Sequence, residues 1–323
     1  MTVPAPSVEQ AAAPAGMRPI AGGEFPMGSE RFYPEEAPLR RVKVGSFWMD
    51  ETPVTNRQFA QFVAATGYCT VAEITPDPRD YPGMDPALAQ PGSLVFRKTQ
   101  LPVPLDDWNQ WWEFCLCADW RHPSGPDSSI DGLDDHPVVQ VCHADAAAYA
   151  AWAGKRLPTE AEWECAARGG HDDGREYAWG NQLAPGGRML ANYWQGLFPY
   201  SNTLEDGWER TSPVRAFPAN EFGLWDMIGN VWEWTDDWYA QPVVKTSRCC
   251  VIDNPRGGRR GQSFDPATPG VRIGRKVLKG GSHLCAESYC QRYRPAARHP
   301  QAVDSATGHI GFRCAMSVTG EIQ

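Results

Sequence analysis

The sequence predicts a single α+β domain with little regular secondary structure, spanning residues 18–323 after a short disordered tail at residues 1–17. Three observations support this fold class. The 323 residues include 31 glycines and 29 prolines, together well above the usual share of about 12%. Fourteen tryptophans indicate loops that pack through aromatic side chains. Two capping-box motifs each precede only a short helical pattern, and neither an internal repeat nor a long linker divides the chain.

The first half of the chain begins with short strands. Residues 22–50 alternate apolar and polar side chains around turn residues, a pattern typical of strands. Thr55–Gln58 is a capping box before an apolar helical face, and Gly67 ends that helix. A further short strand is expected at residues 94–96.

Two more helices lie in the middle of the chain. Residues 144–153 form an alanine-rich helix, and the capping box Thr159–Glu162 opens another helix that ends near Arg168. The flanking regions have no period. Residues 74–135 and 177–238 are therefore expected to be packed loops, apart from the strand at residues 94–96. Residues 248–276, rich in arginine and glycine, are expected to form an exposed, mobile loop.

Charge and hydropathy exclude two classes of protein. The formal net charge is −9 and the sequence pI is near 5.3, which argues against a nucleic-acid partner. No apolar run is long enough to span a membrane. The first 16 residues lack the charged and apolar regions of a signal peptide, so a cytoplasmic location is expected.

Ten cysteines are too few for a disulfide scaffold of this length. In a reducing compartment such cysteines are expected to be buried, catalytic or metal-binding. The pair Cys249–Cys250 falls in the expected exposed loop and has no assigned role. Four others are expected to pack in the core as small apolar side chains: Cys69, Cys115, Cys117 and Cys142.

The most informative segment contains two cysteines five residues apart, Cys285 and Cys290. A turn between them would bring both sulfurs to one point, and two thiolates form a soft site well matched to copper(I). Nearby cationic side chains would favour the thiolate form; the candidates are His283, Arg292 and Arg294. From the spacing alone, two ordinary buried cysteines or a local disulfide remain equally open.

The motifs around these cysteines add a resemblance. Gly280-Gly-Ser-His-Leu-Cys285 with Ser288-Tyr-Cys290, followed by His309-Ile-Gly-Phe-Arg-Cys314, resembles the C-terminal signature of the formylglycine-generating enzymes, the sulfatase-modifying factor family. Arg156-Leu-Pro-Thr-Glu-Ala-Glu-Trp-Glu164 and Gly229-Asn-Val-Trp-Glu-Trp234 are similar to further motifs of that family. The resemblance covers roughly residues 18–316 and is to the bacterial cytosolic type.

This resemblance implies a fold related to the C-type lectins and a copper-dependent oxidase. Copper(I) would be held by Cys285 and Cys290. The enzyme would use O₂ and a thiol reductant to convert the cysteine of a Cys-x-Pro-x-Arg segment in a sulfatase polypeptide to Cα-formylglycine. Ser282 and Tyr289 fall on catalytic and substrate-binding positions, and Trp232 falls on a substrate-binding position. No nucleic acid or membrane is implied as a partner.

The family also implies two structural calcium sites, built from the hard oxygen ligands that calcium prefers. The first would use Asn192, the Tyr193 carbonyl, Asp206 and the Trp208 carbonyl. The second would use Asp226, the Gly229 and Val231 carbonyls, and Glu233. Without the resemblance, Asp and Asn in such loops more often form turns.

The chain departs from the endoplasmic-reticulum members of the family at two cysteine positions, which are Ala167 and Pro295 here. A contact between Cys165 and Cys314 stays open. Two other functions also stay open. A non-catalytic member would use the same scaffold to bind a peptide or a sulfatase but would not need paired thiols. An iron-dependent sulfoxide synthase would carry a His-x₃-His-x-Glu triad, which this sequence lacks.

Overall fold

Local capping interactions set the ends of the α-helices within residues 13–241 and 251–318, the part of the chain that the computed structural model describes. The helices are α1 (Asn56–Thr66), α2 (His143–Trp152) and α3 (Glu160–Ala167). The Thr55 hydroxyl accepts a hydrogen bond from the Gln58 amide, and Gly67 ends α1 with a φ of 68°. All three predicted helices are confirmed to within a few residues. Within these ranges no helix is long and apolar enough to cross a membrane.

Short strands supply most of the remaining regular structure in the described residues. In chain order they are β1 (Met17–Ile20), β2 (Gly23–Met27), β3 (Arg40–Val44), β4 (Phe47–Asp50), β5 (Gly92–Phe96), β6 (Trp112–Leu116), β7 (Gly196–Leu197), β8 (Ser201–Asn202), β9 (Trp232–Trp238), β10 (Ile252–Asp253), β11 (Arg275–Lys279), β12 (Arg298–Ala302), β13 (Ile310–Gly311) and β14 (Ala315–Ser317). The strands predicted near the N-terminus and at residues 94–96 are confirmed.

The sheets join distant parts of the chain. One sheet has the strand order β12–β11–β9–β13, a second β1–β4–β14 and a third β10–β3–β2. The β5–β6 and β7–β8 pairs form two-stranded sheets. Pairing is antiparallel except between β10 and β3 and between β13 and β9. Because β14 pairs with β4, the chain returns to its first strands, and the α+β domain closes on itself.

The interior strand β9 was not predicted. Trp232, Glu233, Trp234 and Thr235 are all buried. β11 and β13 pair with the two edges of β9, whereas its faces are covered by other side chains: an apolar cluster surrounds Trp232 and Trp234, and Trp163 of α3 donates to Glu233. A strand buried on both faces loses the alternation of apolar and polar residues on which strand prediction depends. The expectation that residues 177–238 lack regular structure is therefore wrong at β9 and at the short strands β7 and β8, and the same expectation for residues 74–135 is wrong at β6.

The segment expected to be an exposed loop is anchored at two points in its described part. Ile252 and Asp253 pair with β3, and the Ser263 side chain is fully buried. The Arg256 guanidinium donates to Asp237 at 2.8 Å. These residues are therefore held against the fold, although most of residues 251–270 are exposed as expected. Cys249 and Cys250 lie outside the described residues.

Buried ion pairs hold the ends of the sheets together. Lys279, at the end of β11, donates to Glu164 of α3 at 2.9 Å, and both side chains are buried. Burial alone would raise the pKa of Glu164, but Lys279 and Arg168 outweigh it and hold that pKa at about 2. Breaking a buried pair by removing one partner leaves an uncompensated charge. This pair therefore fixes the point at which the chain leaves β11 and enters the segment with the paired cysteines.

Candidate active site

Two successive turns bring the paired cysteines together. The Cys285 amide donates to the Ser282 carbonyl at 2.9 Å, and the Cys290 amide donates to the Ala286 carbonyl at 2.8 Å. The two sulfurs lie 3.4 Å apart, well beyond the about 2.05 Å of a disulfide. Both cysteines are free. The expectation that a turn between them unites the sulfurs is confirmed, and a local disulfide is absent from this structure.

A glycine allows the first of these turns to lie against the core. Gly281 has a φ of 70°, and a Cβ there would stand 2.7 Å from the Arg292 carbonyl oxygen and 2.8 Å from the Tyr293 backbone. Any other residue would meet both a strained conformation and a backbone clash. Gly281 thus sets the distance between Ser282, which follows it, and the segment that carries Arg292.

The electrostatic surroundings divide the two thiols into different states. The hydrogen bond from Cys285 lowers the pKa of Cys290 to about 6 despite burial, and the Arg292 guanidinium, 3.6 Å from its sulfur, adds to this. Burial first, then the neighbouring Cys290, raises the pKa of Cys285 well above its usual value. The surroundings therefore favour the thiolate form at Cys290 and the thiol form at Cys285 in the metal-free pair.

Only one of the three cationic side chains expected around the thiols places a positive charge beside them. Glu35 holds Arg292 in place, with Nε at 3.1 Å and Nη2 at 2.5 Å. Arg294 is instead buried in an ion pair with Glu36. Burial lowers the pKa of His283 to about 4, so this histidine is neutral at physiological pH. The expectation of positive charge is confirmed for Arg292 and is wrong for Arg294 and His283.

The thiols open into a cavity of about 380 Å³. Its wall includes the five residues that the family resemblance placed at the catalytic and substrate-binding positions: Trp232, Ser282, Cys285, Tyr289 and Cys290. Tyr289 stacks on Phe198 with ring centroids 4.7 Å apart and meets Trp111 edge to face at 5.5 Å. The Ser282 hydroxyl accepts from the Leu284 amide at 3.2 Å. The cavity is therefore aromatic and apolar over most of its surface.

Sequence reasoning missed part of this wall. Trp108, Trp111 and Trp112 come from a region interpreted only as packed loops, and His299, Gln301 and His309 come from β12 and the segment after it. The dense tryptophans at residues 108–112 could have indicated a ligand wall. Nothing local distinguishes His299 or Gln301 from surface residues, because their place depends on β11 and β9.

The comparisons with known proteins agree with this geometry. Residues 4–318 match the family described as the sulfatase-modifying factor enzyme 1-like domain. The chain belongs to this family. A formylglycine-generating enzyme of Mycobacterium tuberculosis is 55% identical over 298 residues, covering 91% of this chain and 95% of that protein. One of Thermomonospora curvata is 46% identical, covering 93% of each. The solved structure of PvdO from Pseudomonas aeruginosa shares the fold, with a TM-score of 0.59, 23% identity and 94% coverage of both chains.

As a member of this family, the chain was expected to hold calcium at Asn192 and Asp206. Asn192 Oδ1 is buried and has no hydrogen-bond partner among the described residues, while its amide nitrogen donates to the Arg210 carbonyl at 2.8 Å. The Asp206 carboxylate accepts from the Tyr193 and Trp208 amides at 3.1 and 2.9 Å. An orphaned buried oxygen beside the partly buried carboxylate of Asp206 fits a calcium site.

The second predicted calcium site, around Asp226 and Glu233, differs from the first in the partners of its oxygen atoms. Both Glu233 oxygens accept from Arg313, at 2.7 and 2.8 Å, and one also accepts from the Trp163 indole at 2.7 Å. Burial raises the pKa of Asp226 to about 6. Here the Glu233 carboxylate already has a cationic partner, and neither Asp226 nor Glu233 has a buried side-chain oxygen without a hydrogen bond. In the described part of the chain, no group of three or more His, Cys, Asp or Glu side chains is arranged to hold a metal ion.

The remaining cysteines divide by exposure. Cys142 is buried as expected, but Cys69 and Cys117 are exposed and Cys115 is partly exposed, so the core assignment is wrong for the last three. Cys115 lies in β6 and Cys117 directly after it, and within the described residues β6 pairs with β5 alone. Cys165 and Cys314 are both buried and free. They belong to different apolar clusters.

Acid pH is expected to weaken the fold through buried histidines. Burial, and then Lys276, lowers the pKa of His143 to about 4, and burial lowers the pKa of His299 to about 4 as well. An unfolded histidine takes up a proton near pH 6.5. The unfolded state therefore binds more protons below that pH, and the free energy of unfolding should fall between pH 6.5 and pH 4, by about 1.4 kcal/mol per histidine and pH unit at most.

Urea unfolding at a series of pH values measures how steeply the free energy of unfolding changes with pH. His143→Gln should reduce this slope by at most the contribution of one proton, about 1.4 kcal/mol per pH unit. Asp226 opposes the trend because its raised pKa makes the folded state take up a proton near pH 6. A slope that is unchanged in His143→Gln would contradict the prediction.

Proposed function

We propose that this chain converts the cysteine of a Cys-x-Pro-x-Arg segment in sulfatases to Cα-formylglycine, with copper(I) at Cys285 and Cys290, O₂ as oxidant and a thiol reductant as electron source. The observation that carries this proposal is the free thiol pair, 3.4 Å apart, at the wall of a cavity. The family membership and the relatives named as formylglycine-generating enzymes support it. The free cysteines of the described residues suit the cytoplasm that we retain as the expected location.

The donor set suits the metal. Two cysteine sulfurs without a covalent bond between them are soft ligands, which favour copper(I) over the harder divalent ions. Cys290 is already biased to the thiolate form that binds metals. When bound, copper(I) would supply redox chemistry with O₂ and a coordination position for a third thiolate.

The residues of the chain have separate roles in this proposal. Arg292, clamped by Glu35, holds negative charge at the Cys290 sulfur. Burial raises the pKa of Tyr289, so its hydroxyl keeps its proton and is able to donate a hydrogen bond to the substrate. The Ser282 hydroxyl lies beside the thiols as a second polar contact, and Trp232 forms part of the apolar wall that excludes water.

Mass spectrometry of a synthetic Cys-x-Pro-x-Arg peptide tests the proposal. The purified chain, loaded with copper(I) and supplied with O₂ and a thiol reductant, should shift the peptide by the mass difference between CH₂SH and CHO. A peptide with serine in place of the cysteine is the control. An unchanged mass would refute the conversion. If conversion persists with a strong copper(I) chelator, the proposed role of copper would be refuted, but the conversion itself would stand.

The alternative of a non-catalytic binding member is addressed by the same experiment. A binder would capture the peptide and leave its mass unchanged. The reactive thiolate expected at Cys290 favours the catalytic function, because a binding surface gains nothing from it.

Calcium bound to the Asn192 and Asp206 set is proposed to stabilise the surrounding loops. A ligand that binds only the folded state adds about 2.7 kcal/mol at one hundred times its dissociation constant. Addition of calcium to chelator-treated protein should therefore raise the melting temperature, and Asn192→Ala should remove most of that rise. The second set, around Asp226 and Glu233, stays a prediction. If calcium still raises the melting temperature of Asn192→Ala, that remaining rise would indicate binding at the second set. A melting temperature insensitive to calcium would contradict both sites.

A further inference from the structure

Two polar side chains of β12 line the cavity and have no hydrogen-bond partner within residues 13–241 and 251–318. His299 and Gln301 are two residues apart on one strand, so they project from the same face, and both line the cavity. In the register of β12 with β11 they lie opposite Leu278 and Lys276. Their place in the cavity wall is therefore set by the four-stranded sheet and not by a loop.

The hydrogen-bonding capacity of these two side chains is unused. Among the described residues, neither the His299 ring nor the Gln301 amide makes a side-chain hydrogen bond, whereas the nearby His309 ring is bonded to the Thr307 hydroxyl at 2.8 Å. The His299 ring lies against Trp232, with centroids 5.8 Å apart. Packing thus fixes the ring while both of its nitrogens remain available to a ligand.

The character of the cavity shows what kind of group would use them. Among the described residues that line it there is no carboxylate, and the charged side chain is Arg292, which lies beside the Cys290 sulfur. A histidine held neutral presents one donor and one acceptor, and a glutamine amide presents both as well. This neutral pair matches the N–H and C=O groups of a peptide backbone better than it matches a charged side chain.

The spacing agrees with such a ligand. Residues i and i+2 of a strand are about 6.7 Å apart, and the same distance separates backbone groups on one side of an extended peptide. Apolar cavities with a few convergent polar groups use those groups to fix the orientation of the ligand. A substrate lying parallel to β12 would meet His299 and Gln301 with backbone groups two residues apart.

We propose that His299 and Gln301 bind the backbone of the substrate polypeptide beside its reactive cysteine and thereby orient the thiol toward Cys285 and Cys290. This inference rests on the proposed function for the identity of the substrate. The two side chains are substrate-binding residues, and the sequence motifs of the site do not include them.

Binding of an unreactive peptide tests the inference separately from catalysis. A fluorescently labelled peptide with serine in place of the reactive cysteine is titrated against the full-length chain, and its dissociation constant is measured by anisotropy. His299→Ala and Gln301→Ala should each weaken binding about tenfold, the effect of one lost hydrogen bond whose partner stays buried. With the reactive peptide, KM should rise more than kcat falls. His122→Ala, a histidine outside the cavity, is the matched control.

Backbone methylation makes the test sharper. N-methylation of a peptide amide next to the serine should weaken binding to the wild-type chain. If one of these side chains accepts from that amide, methylation should cost much less in its alanine variant, as a double-mutant cycle reveals. Melting temperatures of the variants confirm that they are folded.

The outcomes separate this inference from the proposed function. If the wild-type chain binds the serine peptide through His299 and Gln301 but leaves the cysteine peptide unchanged, the proposed conversion fails and the inference holds. If the chain converts the peptide and both variants bind it with wild-type affinity, the inference is overturned and the conversion stands.

Discussion

Replacement of Cys285 or Cys290 by alanine is expected to reduce peptide conversion to the rate measured without protein. The two sulfurs, 3.4 Å apart, are the whole soft donor set at the cavity wall, so removal of either leaves copper(I) with a single protein ligand. Copper(I) binding, measured by competition with a chromogenic chelator, should be lost together with activity. The fold should be retained, because removal of one sulfur atom from this site costs at most about 1 kcal/mol, the typical effect of a single substitution.

Cys165→Ala is the matched control for this experiment. Cys165 is also buried and free but packs in a different apolar cluster, on α3. Its replacement should leave both conversion and copper binding unchanged. If Cys285→Ala or Cys290→Ala kept the wild-type rate, that residue would not be a copper ligand.

Gly281→Ala is expected to destabilise the fold and to separate the thiols. The left-handed conformation costs a residue with a Cβ about 1–2 kcal/mol, and the forced contact with the Arg292 and Tyr293 backbone adds about 1–3 kcal/mol. The chain relieves this contact by moving the turn, which moves Cys285 relative to Cys290. Urea unfolding measures the loss of stability, and alkylation of Cys290 near neutral pH measures the altered thiol environment.

Gly67→Ala separates the two contributions. Gly67 has nearly the same φ, 68°, but nothing lies within 4 Å of the position of its Cβ. Its replacement should therefore cost only the conformational term of about 1–2 kcal/mol and leave Cys290 reactivity unchanged. Equal losses of stability in the two variants would show that the backbone contact at Gly281 is unimportant.

The helix ends and the first strands were predictable because they depend on neighbours in the sequence. The Thr55–Gln58 capping box and the left-handed Gly67 act within a few residues, and the alternation that marks a half-exposed strand is read directly along the chain. β9 could not be predicted in the same way. Its two edges pair with β11 and β13, which come from much later in the chain, and its faces are covered by side chains from other elements, such as Trp163 of α3.

At the candidate site, too, some features depend on neighbours in the sequence and others on distant parts of the chain. The pairing of Cys285 with Cys290 followed from a spacing that one turn can close, and the motifs around it supplied the family. The charge at the site did not follow from proximity in sequence. Arg292 and Arg294 are two residues apart, yet one faces the Cys290 sulfur and the other is buried against Glu36.

From sequence alone came the fold class, the helix boundaries, the thiol pair and the family, because each is encoded in short-range patterns or in motifs that survive without their three-dimensional context. Tertiary structure alone decided which polar atoms remain without partners, such as Asn192 Oδ1 and the His299 ring, and which histidines are neutral. Burial and electrostatic potential are sums over neighbours from the whole chain. A hydrogen-bonding group left free in a cavity wall is therefore visible only after the sheets have closed around it.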